Sequence, residues 1–111
     1  MAGKLTTHAL DTAAGVAAAG MAVSLRRGGV VLAATTLDAN GRAVLLDTGL
    51  EPGAYDLVFA VADYHRGQGL AVTDPPFLGE VTITFGVADP DAHYHVPLLV
   101  SPYGYSTYRG S

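Results

Sequence analysis

Cysteine is absent from the sequence. That excludes a disulfide scaffold, a thiolate nucleophile and every cysteine-based zinc site. Charge is scarce as well: 14% of the residues are Asp, Glu, Lys or Arg, whereas 50% are hydrophobic. A disordered chain has the opposite balance. So few charges leave little to solvate every side of a lone domain, which favours contacts between subunits. Six basic residues face ten acidic ones for a net charge of −4, and the basic residues cluster nowhere beyond Arg26-Arg27. A nucleic-acid partner needs a basic stripe, so none is expected. No apolar run approaches the roughly 18 residues of a membrane helix. The Ala/Gly-rich stretch from Ala13 to Val23 follows Asp11, too weak and too late for a signal-peptide core, and none follows Lys4. The expected location is the cytoplasm, with no membrane partner.

What the chain does have is a succession of short apolar runs separated by turn signals every 8–12 residues, the mark of an all-β sandwich or barrel. At 111 residues it is expected to be a single domain, 1–111. Strands are expected at 4–10, 20–27, 30–37, 42–47, 54–62, 80–86, 92–100 and 103–108. Gly28-Gly29 separates the second and third. Asp38-Ala39-Asn40-Gly41 reads as a hairpin turn, with Asn-Gly tolerating positive φ. Only 61–70, which includes Asp63, Tyr64, His65 and Arg66 before Gly67, reads as a short helix. Eight strands and one helix imply a two-sheet sandwich with Greek-key-like connections. Val81-Thr82-Ile83-Thr84-Phe85 carries no charge to discourage edge pairing, so a second subunit or a loop is expected to cover it.

Four histidines stand out among so few charges. His8 shares a strand face with Thr6 and Leu10, and His93 and His95, two apart, share another. His-x-His is a known zinc-ligand spacing, but no carboxylate spacing supports a metal here. His65 is read as structural. Arg42 directly follows the Asn40-Gly41 turn, which presents its guanidinium from a rigid base; an ordinary solvated arginine would look the same. Tyr103, Tyr105 and Tyr108 crowd the tail, followed by Arg109-Gly110-Ser111, whereas tails usually fray into polar filler. An aromatic last strand packed on a partner is the plainer explanation.

Leu5-Thr6-Thr7-His8-Ala9-Leu10-Asp11-Thr12, Asn40-Gly41-Arg42, the run from His93-Tyr94-His95-Val96-Pro97 to Pro102, and Tyr105 through Ser111 together resemble the transthyretin-related proteins across essentially the whole chain. The closing Tyr108-Arg109-Gly110-Ser111 resembles the 5-hydroxyisourate hydrolases in particular, rather than the hormone-carrying transthyretins of the same fold. The resemblance implies a transthyretin-like (prealbumin-like) eight-stranded sandwich assembled as a homotetramer, with sites at the dimer–dimer interface. It implies hydrolysis of 5-hydroxyisourate to 2-oxo-4-hydroxy-4-carboxy-5-ureidoimidazoline in urate degradation, without metal or organic cofactor. It assigns catalysis to His8, Arg42, His95 and Ser111, and substrate binding to His8, Arg42, Tyr108, Arg109, Gly110 and Ser111. Relatives often carry a proline where this chain reads Gly15-Val16-Ala17-Ala18-Ala19, a loop away from these motifs.

The side chains suit that chemistry. A histidine near neutral pKa can take a proton from water, and an arginine stays cationic for an anionic substrate and a developing oxyanion. Either His8 or His95 can be the base. Ser111 is expected to orient substrate or water, since a serine nucleophile needs a partnered base and a fixed elbow. The rival expectation is a transthyretin-like carrier of a small aromatic ligand without catalysis.

Overall fold

Alternation builds the first element. Along β1 (Lys4–Asp11), Leu5, Thr7, Ala9 and Asp11 are buried while Thr6, His8 and Leu10 are half-buried on the other face, the period of two that a strand imposes. A computed structural model describes residues 3–111. Met1 and Ala2, part of the expected domain 1–111 and of the segment read for a signal peptide, lie outside the described residues. After β1 come β2 (Val16–Ala17), β3 (Ala22–Arg27), β4 (Val30–Thr36), β5 (Arg42–Leu46), β6 (Gly53–Phe59), α1 (Val61–Gly67), β7 (Val81–Val87), β8 (His93–Ser101) and β9 (Gly104–Thr107).

The strands form two sheets. One runs β4-β3-β6-β7, antiparallel throughout. The other centres on β1, with β8 parallel along one edge and β9 beyond it. The remaining edge of β1 is shared, β5 pairing with residues 5–8 and β2 with Leu10 and Asp11. Between the sheets Leu5, Leu25, Leu57, Phe59 and Leu98 are at most 1% exposed and belong to one cluster. Burying each such side chain contributes roughly 1.5–3 kcal/mol.

The expected eight strands are all present, and the structure adds to them. Residues 15–19 read as loop, yet Val16 and Ala17 pair with β1. The cause is Asp11: its Oδ1 accepts the Ala13 and Ala14 N–H groups at 3.0 Å, and Gly15 at φ 71° completes the reversal. The strand expected over 54–62 stops at Phe59, because Val61, Ala62, Tyr64 and His65 bury one side of α1 at helical spacing. The helix ends at Gly67, short of the expected residue 70, where Gly69 at φ 83° turns the chain. No helix among the described residues is long and apolar enough to cross a membrane.

The buried Asp11 carboxylate also fixes α1 to the sheet, its Oδ2 accepting the Tyr64 hydroxyl at 2.9 Å. Burial, then this anionic acceptor, pushes the Tyr64 hydroxyl up to about 12, so it stays a donor at any physiological pH. His65 is fully buried beside the Tyr64 ring.

Removing that donor leaves a buried carboxylate oxygen short of a partner. Tyr64→Phe is expected to lower unfolding stability by about 1–3 kcal/mol. Urea titration measures it, and a loss within about 0.5 kcal/mol, the range of ordinary surface changes, would remove this bond from the account.

Candidate active site

Strand register assembles the site. Thr6 pairs with His95 and Lys4 with His93 across the parallel β1–β8 ladder, while His8 pairs with Arg42 and Thr6 with Val44 across β1–β5. Paired residues share a sheet face. Because Leu5, Thr7 and Ala9 fill the core face, His8, Arg42, His93 and His95 collect on the outer one. There Arg42, His93 and His95 border a cleft of about 280 Å³ whose lining also includes Thr6, Asp38, Val44 and Ser111. That is near the small end of ligand clefts, roughly 300 Å³ upward. His8 is not among the lining residues; its ring stacks on His95, centroids 6.5 Å apart.

The Arg42 mount is rigid. Asp38 Oδ1 accepts the Asn40 N–H at 2.8 Å and the Arg42 N–H at 3.0 Å. These bonds, Arg42's first, hold the Asp38 carboxyl below its usual range. Gly41 has φ 73°, and a Cβ there would lie 2.6 Å from the Ala9 carbonyl oxygen. Both reasons demand glycine.

The tail reaches the cleft by its backbone. Gly110 N–H donates to the His95 carbonyl at 2.8 Å, and the two residues form an isolated antiparallel bridge. A Cβ on Gly110 would lie 2.5 Å from His95 Cδ2 and 3.3 Å from Pro97 Cγ. Only glycine lets the tail lie against that imidazole and carry Ser111 into the cleft.

Tyr108 and Arg109 are placed elsewhere. They line a second cavity of about 300 Å³ with Ile83, Phe85, Tyr94 and Val96, on the opposite face of β8 from His95. The Arg109 guanidinium lies 4.2 Å from the Tyr94 ring centroid, and its Nη2 is 3.4 Å from the His93 carbonyl. Within one chain these two residues therefore do not line the cleft that holds Arg42, His95 and Ser111.

Thr6 is the residue that sequence reasoning missed. Its Oγ1 is 2.8 Å from His93 Nε2 and 2.7 Å from His95 Nδ1. The sequence places Thr6 beside His8, but the parallel register that sets it against His95 leaves no local signal. Asp38 was also missed as a site residue, although its Asp-x-Asn-Gly spacing marks it as a turn acceptor. His65 lies in the core, as expected of a structural residue. Among the described residues no group of three or more His, Cys, Asp or Glu side chains is placed to hold a metal.

Burial, then the positive charge of Arg42 and the neighbouring His8 and His93, lowers the His95 pKa below 6.5. The cleft thus combines a neutral imidazole, a guanidinium on a firmly held backbone and a hydroxyl, a set able to accept a proton while binding an anion.

Fold and site define a class: a two-sheet transthyretin-like sandwich with an imidazole–guanidinium cleft on the outer face of one sheet. The chain belongs to the HIUase/Transthyretin family, whose model matches residues 5–110. It is 54% identical to a 5-hydroxyisourate hydrolase of Caulobacter vibrioides, over 96% of this chain and 97% of that one. Among solved structures, the 5-hydroxyisourate hydrolase of Klebsiella pneumoniae matches with TM-score 0.85 and 36% identity, over 97% of this chain and 99% of that one. An (S)-allantoin synthase matches with TM-score 0.92 and 37% identity over 98% of this chain, which spans 44% of that longer one.

His95 is expected to titrate below pH 6.5 by NMR. Arg42→Met removes a charge that opposes protonation, so it should move the midpoint upward. A midpoint at or above 6.5 in the unaltered protein, or no upward movement in the variant, contradicts this electrostatic account.

Proposed function

We propose that this chain hydrolyses 5-hydroxyisourate to 2-oxo-4-hydroxy-4-carboxy-5-ureidoimidazoline, a step of urate degradation. The observation that carries the proposal is the gathering of Arg42, His95 and Ser111 in one small cleft, with His8 stacked on His95. Full-length relatives named for this hydrolase support it. A carrier of a small aromatic ligand has no use for two imidazoles and a guanidinium in its binding cleft.

In the mechanism we propose, His95 is the general base. Its ring lines the cleft, and its lowered pKa keeps it unprotonated at neutral pH. It takes a proton from water, whose oxygen bonds to the carbonyl carbon of the ring amide. The carbonyl oxygen gains negative charge beside Arg42, a cation that needs no proton bookkeeping. The carbon–nitrogen bond then breaks, and the leaving nitrogen receives the proton held by the imidazolium. Water has become the hydroxyl of the new carboxyl group, and His95 is neutral again. His8 lies between the His95 ring and Arg42's strand, where it can hold substrate or share the proton. Ser111 orients substrate or water through its hydroxyl. Side chains and water supply every step, without metal or cofactor.

Arg109 anchors the tail, through the Tyr94 ring and the His93 carbonyl, so that Gly110 lies on His95 and Ser111 meets the cleft, and Tyr108 lines the second cavity beside it. We further propose a single domain, a cytoplasmic location and a homotetramer with the clefts at its dimer–dimer interface. Supporting assembly, β7 ends its sheet and β9 the other, and Val30, Val31, Leu32 and Val44 are exposed.

The test follows the ultraviolet decay of 5-hydroxyisourate generated from urate by urate oxidase. Added protein should accelerate it. His8→Ala and His95→Ala should each reduce turnover by about 10²–10⁴, and Arg42→Ala by about 10²–10³, with folding intact. No acceleration by the unaltered chain sinks the proposal, and near-normal activity in a variant removes that residue. Gly110→Ala should cost about 10²-fold by displacing the His95 ring or the tail; unimpaired turnover would show that their close packing is dispensable. Sedimentation velocity should give a tetramer, and a stable monomer contradicts the assembly.

A further inference from the structure

We infer that Thr6 is a positioning residue that, through His93, sets which nitrogen of His95 carries the proton. The inference rests on the reading of His95 as general base.

The argument is a count of hydrogens. Thr6 Oγ1 lies within hydrogen-bond distance of two ring nitrogens, His93 Nε2 at 2.8 Å and His95 Nδ1 at 2.7 Å. A hydroxyl has one hydrogen to give and two lone pairs to receive. It cannot donate to both nitrogens, so one imidazole must donate to it. Three arrangements satisfy both contacts. In the first, Thr6 donates to His93 Nε2 and accepts from His95 Nδ1–H, leaving the lone pair of His95 on Nε2. In the second, Thr6 donates to His95 Nδ1 and accepts from His93 Nε2–H, so His95 Nε2 already carries a hydrogen and cannot accept another. In the third, both imidazoles donate to the two lone pairs of Thr6 while its own hydrogen points elsewhere, which again leaves the His95 lone pair on Nε2.

Donation from His95 Nδ1–H to Thr6, common to the first and third, is what makes His95 a base, since its Nδ1 is occupied by Thr6 in every case. It also improves during the reaction. When Nε2 takes the water proton, the Nδ1–H now belongs to an imidazolium, and its bond to Thr6 becomes charge-assisted, shorter and stronger. The hydroxyl thus does by geometry what a carboxylate does behind other catalytic histidines: it holds the tautomer and the ring plane. Free imidazole side chains favour the Nε2–H form, so His95 without this partner would rest largely in the unproductive tautomer. His93 is the acceptor that engages the Thr6 hydrogen and so keeps it away from His95 Nδ1. Once protonated at both nitrogens His93 can only donate, and the Thr6 hydrogen is then free to turn to His95 Nδ1, the second arrangement.

The surroundings also bear on the titration of this pair. Lys4 opposes His93 and His8 stacks on His95 from β1; Arg42 and the Asp38 carboxylate face them from β5 and the turn before it; Arg109 approaches from the tail. The tautomer is therefore best read directly rather than from a rate profile alone.

Long-range ¹H–¹⁵N correlation spectra of the full-length protein, at a pH where both imidazoles are neutral, report which nitrogen is protonated. The expected result is His95 protonated at Nδ1 in the unaltered protein and in Thr6→Ser. Thr6→Val should shift His95 toward the Nε2–H form and lower kcat about 10–100-fold, with KM nearly unchanged. Thr6→Ser should restore most of the rate. His95 protonated at Nε2 in the unaltered protein overturns the inference, as does a Thr6→Val protein with unchanged tautomer and kcat. Should Thr6→Val fail to fold, the spectra of the unaltered and Thr6→Ser proteins decide. Because the tautomer is read without substrate, Thr6 can fail while His95→Ala still abolishes turnover, and the reverse outcome is equally visible.

Discussion

The whole site hangs on one parallel strand pair. β1 and β8 lie more than eighty residues apart in the chain, and their register runs unbroken from Lys4↔His93 to Asp11↔Val100. It places Thr6 beside His95 and lets the buried Thr7 hydroxyl donate to the Val96 carbonyl at 2.7 Å. A slip of one residue would turn every side chain of one strand to the other face. The imidazoles would then enter the core, and leucine or valine would face the cleft. The apolar alternation on the core face, Leu5 and Ala9 against Tyr94, Val96 and Leu98, is what forbids the slip. Hydrophobic burial on one side thus sets the position of the imidazoles on the other.

That division of labour explains what the sequence revealed. The strands were legible because period-two burial and Gly or Asn-Gly turns are local signals, and the Arg42 mount was legible for the same reason. β2 was not, because its two residues pair only after the Asp11 carboxylate has reversed the chain. The limit of β6 was not, because Val61 and Ala62 suit a strand as well as a helix until packing decides. The candidate site was visible as types of residue: histidines, an arginine and an unusual tail. Its connectivity was invisible, since the Thr6 bonds depend on a parallel register that no local pattern encodes. Tyr108 and Arg109 show the same limit from the other side. They adjoin Gly110 and Ser111 in sequence, yet line a different cavity, and no local pattern marks where the tail passes from one to the other.

Electrostatics in the cleft favours the neutral base for a reason that composition anticipates. In a chain with few charges, the outer face of one sheet gathers Arg42, His8, His93 and His95, with Asp38 as the carboxylate lining the cleft. Its carboxylate is already engaged by backbone N–H groups. Mutual repulsion and partial burial then work in one direction on His95, against a further proton. An incoming anion, drawn by those cations, would reverse part of that field, and its own charge would favour a proton on the imidazole while it is bound.

The tail and His95 are mechanically a single object. Gly110 is bonded to the His95 backbone and lies against its ring with no room for a Cβ, so Ser111 inherits its position from the residue whose proton transfer it would assist. Arg109 extends this coupling through β8, stacking on Tyr94, whose hydroxyl in turn accepts the Ala88 and Asp89 N–H groups at 3.0 Å. The loop between β7 and β8, the ring of Tyr94 and the tail therefore form one continuous support behind the cleft. A disturbance at the second cavity would reach Ser111 along it without altering any residue that lines the first. The closing tetrapeptide thus divides between two cavities: Ser111 lines the cleft and Gly110 lies on the His95 ring, whereas Tyr108 and Arg109 line the cavity on the other side of β8.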